Sequence, residues 1–147
     1  MIHGERSAKW HDRFMRLAKE VSTWSKDPKT KVGCVIVDDK RRVISVGYNG
    51  FPRGVPDDEH LLNDREDKLA RVVHAELNAI LSAGNPMRLE GATLYCSLYP
   101  CNECAKSIIQ SGIAVIIAPY PGNGEWSDAW AISDQMFTDS GVDQVLL

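Results

Sequence analysis

Residues 91–118 read Gly-Ala-Thr-Leu-Tyr-Cys-Ser-Leu-Tyr-Pro-Cys-Asn-Glu-Cys-Ala-Lys-Ser-Ile-Ile-Gln-Ser-Gly-Ile-Ala-Val-Ile-Ile-Ala. The apolar run 92–97 predicts a buried strand, and the run 113–118 predicts another. Between them, a helix is predicted to begin at Pro100 or Cys101 and to end at Gly112, because proline favours the first helical turn and glycine the position after the last. A strand, a helix and a strand in succession usually form a parallel crossover. This stretch therefore predicts an α/β fold.

Apolar periodicity upstream of this stretch predicts further elements. From Trp10 to Val21, apolar residues recur every three or four positions, which is typical of an amphipathic helix. Two apolar runs, 32–37 and 43–46, flank a short polar segment and predict a β-hairpin. Residues 47–68 show little periodicity and predict one long loop, a feature that is often functional in a compact domain.

The rest of the chain continues the alternation of helices and strands. A helix is predicted from near His74 to Gly84, and an edge strand over residues 142–147. A last helix, which Ser127 or Asp128 would cap, carries four apolar residues, Ala131, Ile132, Met136 and Phe137. The order α-β-β-α-β-α-β-α-β predicts a three-layer α-β-α sandwich around a five-stranded mixed sheet, with residues 1–147 as a single domain.

Composition restricts the class of protein. The chain has 147 residues, 44% of them hydrophobic, and a formal net charge of −3 at pH 7. An acidic balance disfavours a protein that grips a phosphate backbone, so nucleic acid is not an expected partner. No apolar run approaches the roughly 18 residues of a membrane span, and the N-terminal residues lack the apolar core of a signal peptide. We therefore expect a cytoplasmic protein with no membrane association.

Two cysteines, Cys101 and Cys104, stand three positions apart at the predicted start of a helix, where their sulfurs can face one metal ion. A Cys-x-x-Cys pair is also compatible with a structural metal corner or a redox pair. His74 is the best candidate for a third ligand, because the other histidines lie in the N-terminal tail, the first helix or the long loop: His3, His11 and His60. Three nitrogen and sulfur ligands fit zinc and leave a fourth position for water, as in a catalytic site. Helix N-termini would favour the thiolate form of both cysteines.

Glu76, two residues after His74, is predicted to be a proton shuttle rather than a ligand. A carboxylate beside zinc can accept a proton from the metal's water and pass it on. The same glutamate is also compatible with a simple helix-end charge. The combination of His-x-Glu with Pro-Cys-x-x-Cys resembles the signature of zinc-dependent nucleobase deaminases. Cys34 and Cys96 lie in apolar strand runs, where a cysteine usually behaves as a small core residue, and are left out of the site.

The chain resembles the deoxycytidylate deaminase family of the cytidine-deaminase-like superfamily. The resemblance covers most of the sequence from Trp10 to Ile113, and the segments Gly-Tyr-Asn-Gly and Pro-Cys-Asn-Glu-Cys-Ala-Lys are more specific than the zinc signature alone. Its other segments are Ser25-Lys26-Asp27-Pro28, Val32-Gly33, Phe51-Pro52 with Gly54, and His74-Ala75-Glu76-Leu77-Asn78-Ala79-Ile80.

The resemblance implies an enzyme, a hydrolase that converts dCMP and water into dUMP and ammonia in pyrimidine nucleotide metabolism. It implies one catalytic Zn²⁺ on His74, Cys101 and Cys104, with Glu76 as the catalytic acid and base. The backbone N–H of Ala75 would hold the pyrimidine carbonyl oxygen, a carbonyl within residues 97–99 the amino group, and Asn49 the sugar hydroxyl. The predicted substrate-binding residues are Asn49, Ala75, Ser97, Leu98, Pro100 and Tyr120.

The resemblance also implies regulation and assembly. Family members commonly form homo-oligomers, and many respond to dCTP and dTTP, with Mg²⁺ accompanying the regulatory nucleotide. The residues placed at such a site are Lys26, Gly47, Tyr48, Gly50 and Arg53.

The chain departs from the family pattern at residues 119–126. A lysine expected there is missing, and Glu125 would repel a phosphate unless a cation offsets its charge. The candidate cations are Arg65, Lys68 and Arg71, and we expect Trp126 and Trp130 to pack the last helix.

Three other functions stay open at this point. The divergent loop is compatible with a different small aminated nucleoside, nucleotide or base as substrate. A tRNA adenosine deaminase shares zinc and glutamate but needs a cationic surface, which the acidic balance disfavours. A non-catalytic zinc module would leave the open coordination position and Glu76 unexplained.

Overall fold

The computed structural model describes the backbone of residues 5–147 and the side chains of residues 7–147. His3 lies outside these residues. The described helices are α1 (Glu5–Ser22), α2 (Glu59–Asn63), α3 (Arg65–Arg71), α4 (Ala75–Ser82), a short 3₁₀ helix (Pro86–Leu89), α5 (Asn102–Gln110) and α6 (Ser127–Ser140). The described strands are β1 (Gly33–Val37), β2 (Val43–Tyr48), β3 (Thr93–Cys96), β4 (Val115–Ala118) and β5 (Asp143–Leu146).

These strands form one five-stranded mixed sheet in the order β2-β1-β3-β4-β5. Strand β1 pairs antiparallel with β2 and with β3, whereas β3, β4 and β5 run parallel to one another. The predicted hairpin and parallel crossovers are confirmed.

Helices cover both faces of the sheet. Side chains of a strand alternate between the two faces, and the strands bury apolar side chains on each of them. In β1, Val35 and Val37 pack with residues of α1, including Phe14 and Val21. Cys34 and Ile36 point to the opposite face, where α4, α5 and α6 contribute residues such as Ala79, Ala105, Ile108 and Phe137. The predicted three-layer α-β-α sandwich is confirmed.

Two glycines let helices approach the sheet closely. A Cβ atom on Gly33 would lie 2.0 Å from the carbonyl oxygen of Ala18 in α1. A Cβ atom on Gly47 would lie 2.3 Å from the backbone nitrogen of Ala79 in α4. Gly47 thereby sets how closely α4, the helix that follows His74, approaches β2.

Two predictions about local structure were wrong. Residues 47–68 do not form one long loop, because α2 and most of α3 lie within them. Helix α3 has no apolar stripe, and Leu69 is 41% exposed, so periodicity gave no signal. Its N-cap Asp64, whose side chain accepts from the N–H of Asp67, is the signal that could have found it.

The start and the packed face of α6 also differ from the prediction. Trp126, rather than Ser127 or Asp128, occupies the N-cap and makes no side-chain capping hydrogen bond. Ala131 and Ile132 are exposed, so the packed side of α6 consists of Trp130, Ser133, Met136 and Phe137. Among the described residues, no helix combines the length and apolar character needed to cross a bilayer.

Candidate active site and metal centre

Two helix N-termini position the predicted metal ligands. His74 is the N-cap residue of α4, and Cys101 is the N-cap residue of α5, both with extended backbone. Cys104 lies in the first turn of α5 and is 5% exposed. Because an N-cap residue precedes the helical hydrogen bonds, each side chain projects beside the free N–H groups of its helix.

The three side chains meet. Nδ1 of His74 lies 3.2 Å from Sγ of Cys104 and 3.5 Å from Sγ of Cys101. All three ligand atoms lie within 4.8 Å of one another. A tetrahedral zinc ion with ordinary Zn–N and Zn–S bonds would separate such a nitrogen from each sulfur by about 3.6 Å. The donor set and its spacing therefore fit one zinc ion with a fourth position left over.

The electrostatics of the two cysteines differ. Hydrogen bonds from Cys104 and from His74 lower the pKa of Cys101 to about 4, although burial opposes this. The hydrogen bond to Cys101 raises the pKa of Cys104. The same partner, Cys101, raises the pKa of His74. Within this hydrogen-bonded pair, Cys101 therefore carries the thiolate and Cys104 is the donor.

Glu76 lies in the first turn of α4 and is 4% exposed. Its Oε2 atom lies 3.5 Å from Sγ of Cys104, so the carboxylate borders the metal cluster. Burial raises the pKa of Glu76 above its ordinary value. A carboxylate in that environment takes up a proton more readily than one in water, which suits a group that both accepts and donates protons.

A cavity of about 380 Å³ opens onto this cluster, with His74, Glu76 and Cys101 in its lining. Its volume falls in the range of small-molecule sites. Its lining also includes Asp27, Lys29, Thr30, Asn49, Asn63, Arg65, Lys68, Ala75, Leu98, Glu125, Trp126 and Trp130.

The structure brings three of the six predicted substrate-binding residues to the cavity, namely Asn49, Ala75 and Leu98. The amide of Asn49 donates to the carbonyl oxygen of Thr30 and accepts from the N–H of Val32, so it also holds the loop before β1.

The other three predicted substrate residues do not line the cavity. The hydroxyl of Ser97 accepts a hydrogen bond from the N–H of Gly33, and the carbonyl oxygen of Pro100 accepts one from the hydroxyl of Ser133. Tyr120 is 71% exposed.

None of the five residues predicted for a regulatory site lines this cavity. Lys26 is exposed and forms an ion pair with Asp57, and Tyr48 is an exposed ring in edge contact with Trp24. Gly50 pairs with Val73 in an isolated bridge, Gly47 lies against α4, and Arg53 lies in an exposed turn.

Two ion pairs at the cavity join residues that are far apart in sequence. Arg65 of α3 pairs with Glu125 at 3.0 Å, and both side chains are more than half exposed. Of the three candidate cations for offsetting Glu125, Arg65 is the one that pairs with it, whereas Lys68 and Arg71 pair with other carboxylates. Lys68 pairs with Asp27 at 3.3 Å, and these two side chains are only 11% and 6% exposed.

Sequence reasoning missed several cavity residues. Packing of the last helix was the favoured role of Trp126 and Trp130, with Trp126 as an alternative aromatic wall for the substrate; both line the cavity, and Trp130 also packs against the core. Lys29, Thr30 and Asn63 carried no sequence signal for the site.

Cys96 was assigned to the core alone, and this was incomplete. It is fully buried as expected, but its Sγ lies 3.3 Å from Oε1 of Glu76. Only the packing of α4 onto the sheet, against β1 and β2, brings the two together, so no local pattern could have indicated the contact.

Comparisons with known proteins agree with this site. Residues 8–119 match the family model described as the cytidine and deoxycytidylate deaminase zinc-binding region. An uncharacterized deaminase of Aliivibrio fischeri is 40% identical over 139 residues, which cover 92% of both chains. A probable deoxycytidylate deaminase of Caenorhabditis elegans is 51% identical over 109 residues, which are 71% of this chain and 54% of that protein. The chain thus spans about half the length of that curated relative.

A solved structure shares the fold over nearly all of the chain. The dCMP deaminase of cyanophage S-TIM5, in complex with dCMP and dUMP, has a TM-score of 0.75 at 25% identity and covers 99% of this chain and 100% of its own. The matching model spans most of the chain and includes His74, Glu76, Cys101 and Cys104. The protein therefore belongs to the cytidine and deoxycytidylate deaminase zinc-binding family.

Proposed function

We propose that the protein is a zinc-dependent hydrolase that deaminates a free cytosine nucleotide, converting dCMP and water into dUMP and ammonia. The observation that carries the proposal is the meeting of His74, Cys101 and Cys104 beside the buried carboxylate of Glu76, on the wall of one cavity. A non-catalytic zinc module would have no use for a buried carboxylate at an open cavity.

The reaction exchanges the amine at C4 of the base for an oxygen from water, so protons must leave the water and reach the ring and the amine. His74, Cys101 and Cys104 would hold the zinc ion, which would supply the Lewis acidity that lowers the pKa of the attacking water. Glu76 takes one proton from the attacking water and delivers it to N3 of the base as the oxygen adds to C4. It then takes the second proton from that oxygen and delivers it to the amine, which leaves as ammonia when the C4–N bond breaks. The backbone N–H of Ala75 is proposed to orient the base by donating to its carbonyl oxygen.

The relatives support this substrate class. Deaminases of dCMP and deoxycytidylate recur among them, and the cyanophage enzyme holds dCMP and dUMP. The tRNA and nucleic-acid alternatives need a cationic surface, whereas this chain has a net charge of −3.

Arg65 is the proposed partner of the 5′-phosphate. The cavity contains two paired cations, Arg65 with Glu125 and Lys68 with Asp27. An exposed ion pair contributes about 0–1 kcal/mol, so a phosphate dianion can replace Glu125 at Arg65 at little cost. Breaking the buried Lys68–Asp27 pair would be far more costly. A planar guanidinium also matches phosphate oxygens in a bidentate arrangement.

Ammonia release from a panel of cytidine, deoxycytidine, CMP, dCMP, dCTP and adenine nucleotides tests the proposed reaction. We expect dCMP to have the highest kcat/KM. Glu76→Gln should retain zinc and lose about 10³-fold or more in kcat, because it lacks the acid and base. Glu103→Gln is the control, since Glu103 belongs to α5 but forms an exposed pair with Lys106. A Glu76→Gln enzyme with unchanged turnover would refute the mechanism.

Substitution of Arg65 tests the phosphate assignment. Arg65→Gln should raise KM for dCMP about tenfold and leave KM for deoxycytidine unchanged. Arg71→Gln is the matched control, because Arg71 lies on the same helix, pairs with Asp67 and does not line the cavity. Equal effects of the two substitutions would show that Arg65 has no special role.

Three further expectations remain predictions. These are a homo-oligomer, regulation by a nucleotide with Mg²⁺ at the site that includes Lys26 and Tyr48, and a cytoplasmic location. Comparison of activity with and without dCTP, together with the mass of the protein in solution, would test the first two.

A further inference from the structure

The carboxylate of Glu76 lies between two sulfur atoms. Its Oε2 atom lies 3.5 Å from Sγ of Cys104, a predicted metal ligand. Its Oε1 atom lies 3.3 Å from Sγ of Cys96, which belongs to β3 and not to the metal cluster. One oxygen therefore faces the metal side and the other faces a second thiol.

We propose that Cys96 is a positioning residue for the deamination: its thiol donates a hydrogen bond to Oε1 of Glu76 and so keeps Oε2 turned toward the metal and the substrate. This inference rests on the proposed function, because it concerns the group that moves the protons. It adds to the zinc signature a residue that the signature does not contain.

The sulfur of Cys96 is held rigidly. Strand β3 lies between β1 and β4 in the middle of the sheet, and Cys96 is fully buried. Its sulfur accepts a hydrogen bond from the N–H of Leu98, and Cys96 stands opposite Cys34 in the β1–β3 register. Burial raises the pKa of the Cys96 thiol well above its ordinary value, so the sulfur keeps its hydrogen at neutral pH.

The carboxylate of Glu76 needs such a contact. Rotation about the last bond of a glutamate side chain has only broad preferences, so packing and hydrogen bonds must select its orientation. A buried carboxylate oxygen without a donor is also costly. A cysteine that ligates a metal is a thiolate and has no hydrogen to donate. Of the two sulfurs beside Glu76, Cys96 is the one that stays a donor when Cys104 binds zinc.

Kinetics of Cys96 variants test the positioning role. Cys96→Val should lower kcat for dCMP about tenfold, a change equivalent to about 1.4 kcal/mol, with KM within twofold and zinc retained. Cys96→Ser keeps a hydroxyl donor and should restore kcat to within about threefold of the wild type. If Cys96→Val fails to fold, Cys96→Ala takes its place, because alanine adds no volume to the core. Its kcat should also fall about tenfold.

Cys34→Val is the matched control. Cys34 is equally buried and stands opposite Cys96, but its hydrogen bond is to Cys96 and not to the carboxylate. Its kcat should stay within twofold of the wild type. A Cys96→Val enzyme with wild-type kcat, or a Cys96→Ser enzyme as slow as Cys96→Val, would overturn the proposal.

Crystal structures of the zinc-loaded variants without nucleotide give a readout that does not depend on turnover. In Cys96→Val and Cys96→Ala the carboxylate of Glu76 should rotate away from its wild-type orientation, and in Cys96→Ser and Cys34→Val it should not. An unmoved carboxylate in Cys96→Ala would also overturn the proposal. A wild-type enzyme inactive on every cytosine compound would overturn the proposed function instead, and the orientation of Glu76 would still decide the role of Cys96.

Discussion

Replacement of Gly47 by alanine should displace α4, the helix that His74 caps, and so weaken zinc binding. Gly47 lies in β2, on the side of the strand against which α4 packs. A Cβ atom there would lie 2.3 Å from the backbone nitrogen of Ala79 and 2.5 Å from the carbonyl oxygen of Ala75. These are helix backbone atoms, which cannot rotate away as a flexible side chain can. Helix α4 as a whole would have to move.

The size of the effect follows from these distances. Ordinary van der Waals contact begins at 3.4 Å, so α4 must retreat by about 1 Å. Overpacking of this kind costs about 2–3 kcal/mol. With an unfolding entropy of about 2.1 cal/mol/K per residue, the loss lowers Tm by roughly 6–10 °C for a chain of this length. Since zinc sites tolerate displacements of about 0.2 Å, a shift of His74 relative to Cys101 and Cys104 should weaken zinc binding at least tenfold.

Calorimetry of the zinc-loaded protein and competition with a zinc chelator measure the two effects. Gly50→Ala is the matched control, because a Cβ atom on Gly50 would have no heavy atom within 4 Å. We expect it to change Tm by less than about 2 °C and to leave zinc affinity unaltered. If Gly47→Ala resembled Gly50→Ala in both measurements, the close approach of β2 and α4 would not control the metal centre.

Three further predictions concern the cavity and the metal ligands. Glu125→Gln should lower KM for dCMP about two- to fivefold in steady-state assays, because it frees Arg65; an unchanged or higher KM would contradict the competition between Glu125 and phosphate. Asp27→Asn should destabilise the protein by about 3 kcal/mol in urea unfolding at pH 7, since it leaves Lys68 buried beside a neutral group. Burial opposes ionisation of Asp27, but hydrogen bonds from Thr30, Lys29 and Lys68 outweigh it and hold its pKa below 3.8. The stability that the carboxylate contributes is therefore fully present above about pH 4 and lost as the pH falls through the folded-state pKa, so the gap between wild type and Asp27→Asn should narrow only in that acidic range. Cys104→Ser should reduce both zinc content and Tm; full zinc occupancy by metal analysis would show that the ligand set is wrong.

Local patterns in the sequence predicted much of the architecture. The apolar runs of β1, β3 and β4 and the apolar stripe of α1 are patterns among residues close together in the sequence. Such patterns predict structure because they reflect which side chains are buried in the fold. The zinc trio could be predicted for a similar reason. Cys101 and Cys104 are neighbours on one helical turn, and His74 opens another helix, so each half of the site is local.

Helices without an apolar stripe could not be predicted in this way. Helix α3 is a charged segment of which Lys68 alone is buried, and its partner Asp27 is remote in sequence. The position of α3 depends on the Lys68–Asp27 ion pair and on the neighbouring cavity. Apolar periodicity carries no information about an ion pair or a cavity.

The sequence by itself determined most of the elements, the sheet class and the family, and it indicated the candidate metal ligands, since each depends on residues close together on one strand or one helical turn. Only the tertiary structure decided that Cys96 faces Glu76, that Arg65 meets Glu125, and that Gly47 lies against α4. These contacts depend on strand order and on how closely helices pack onto the sheet. Such distances arise from the sum of all packing contacts across the layers, and no short segment encodes that sum.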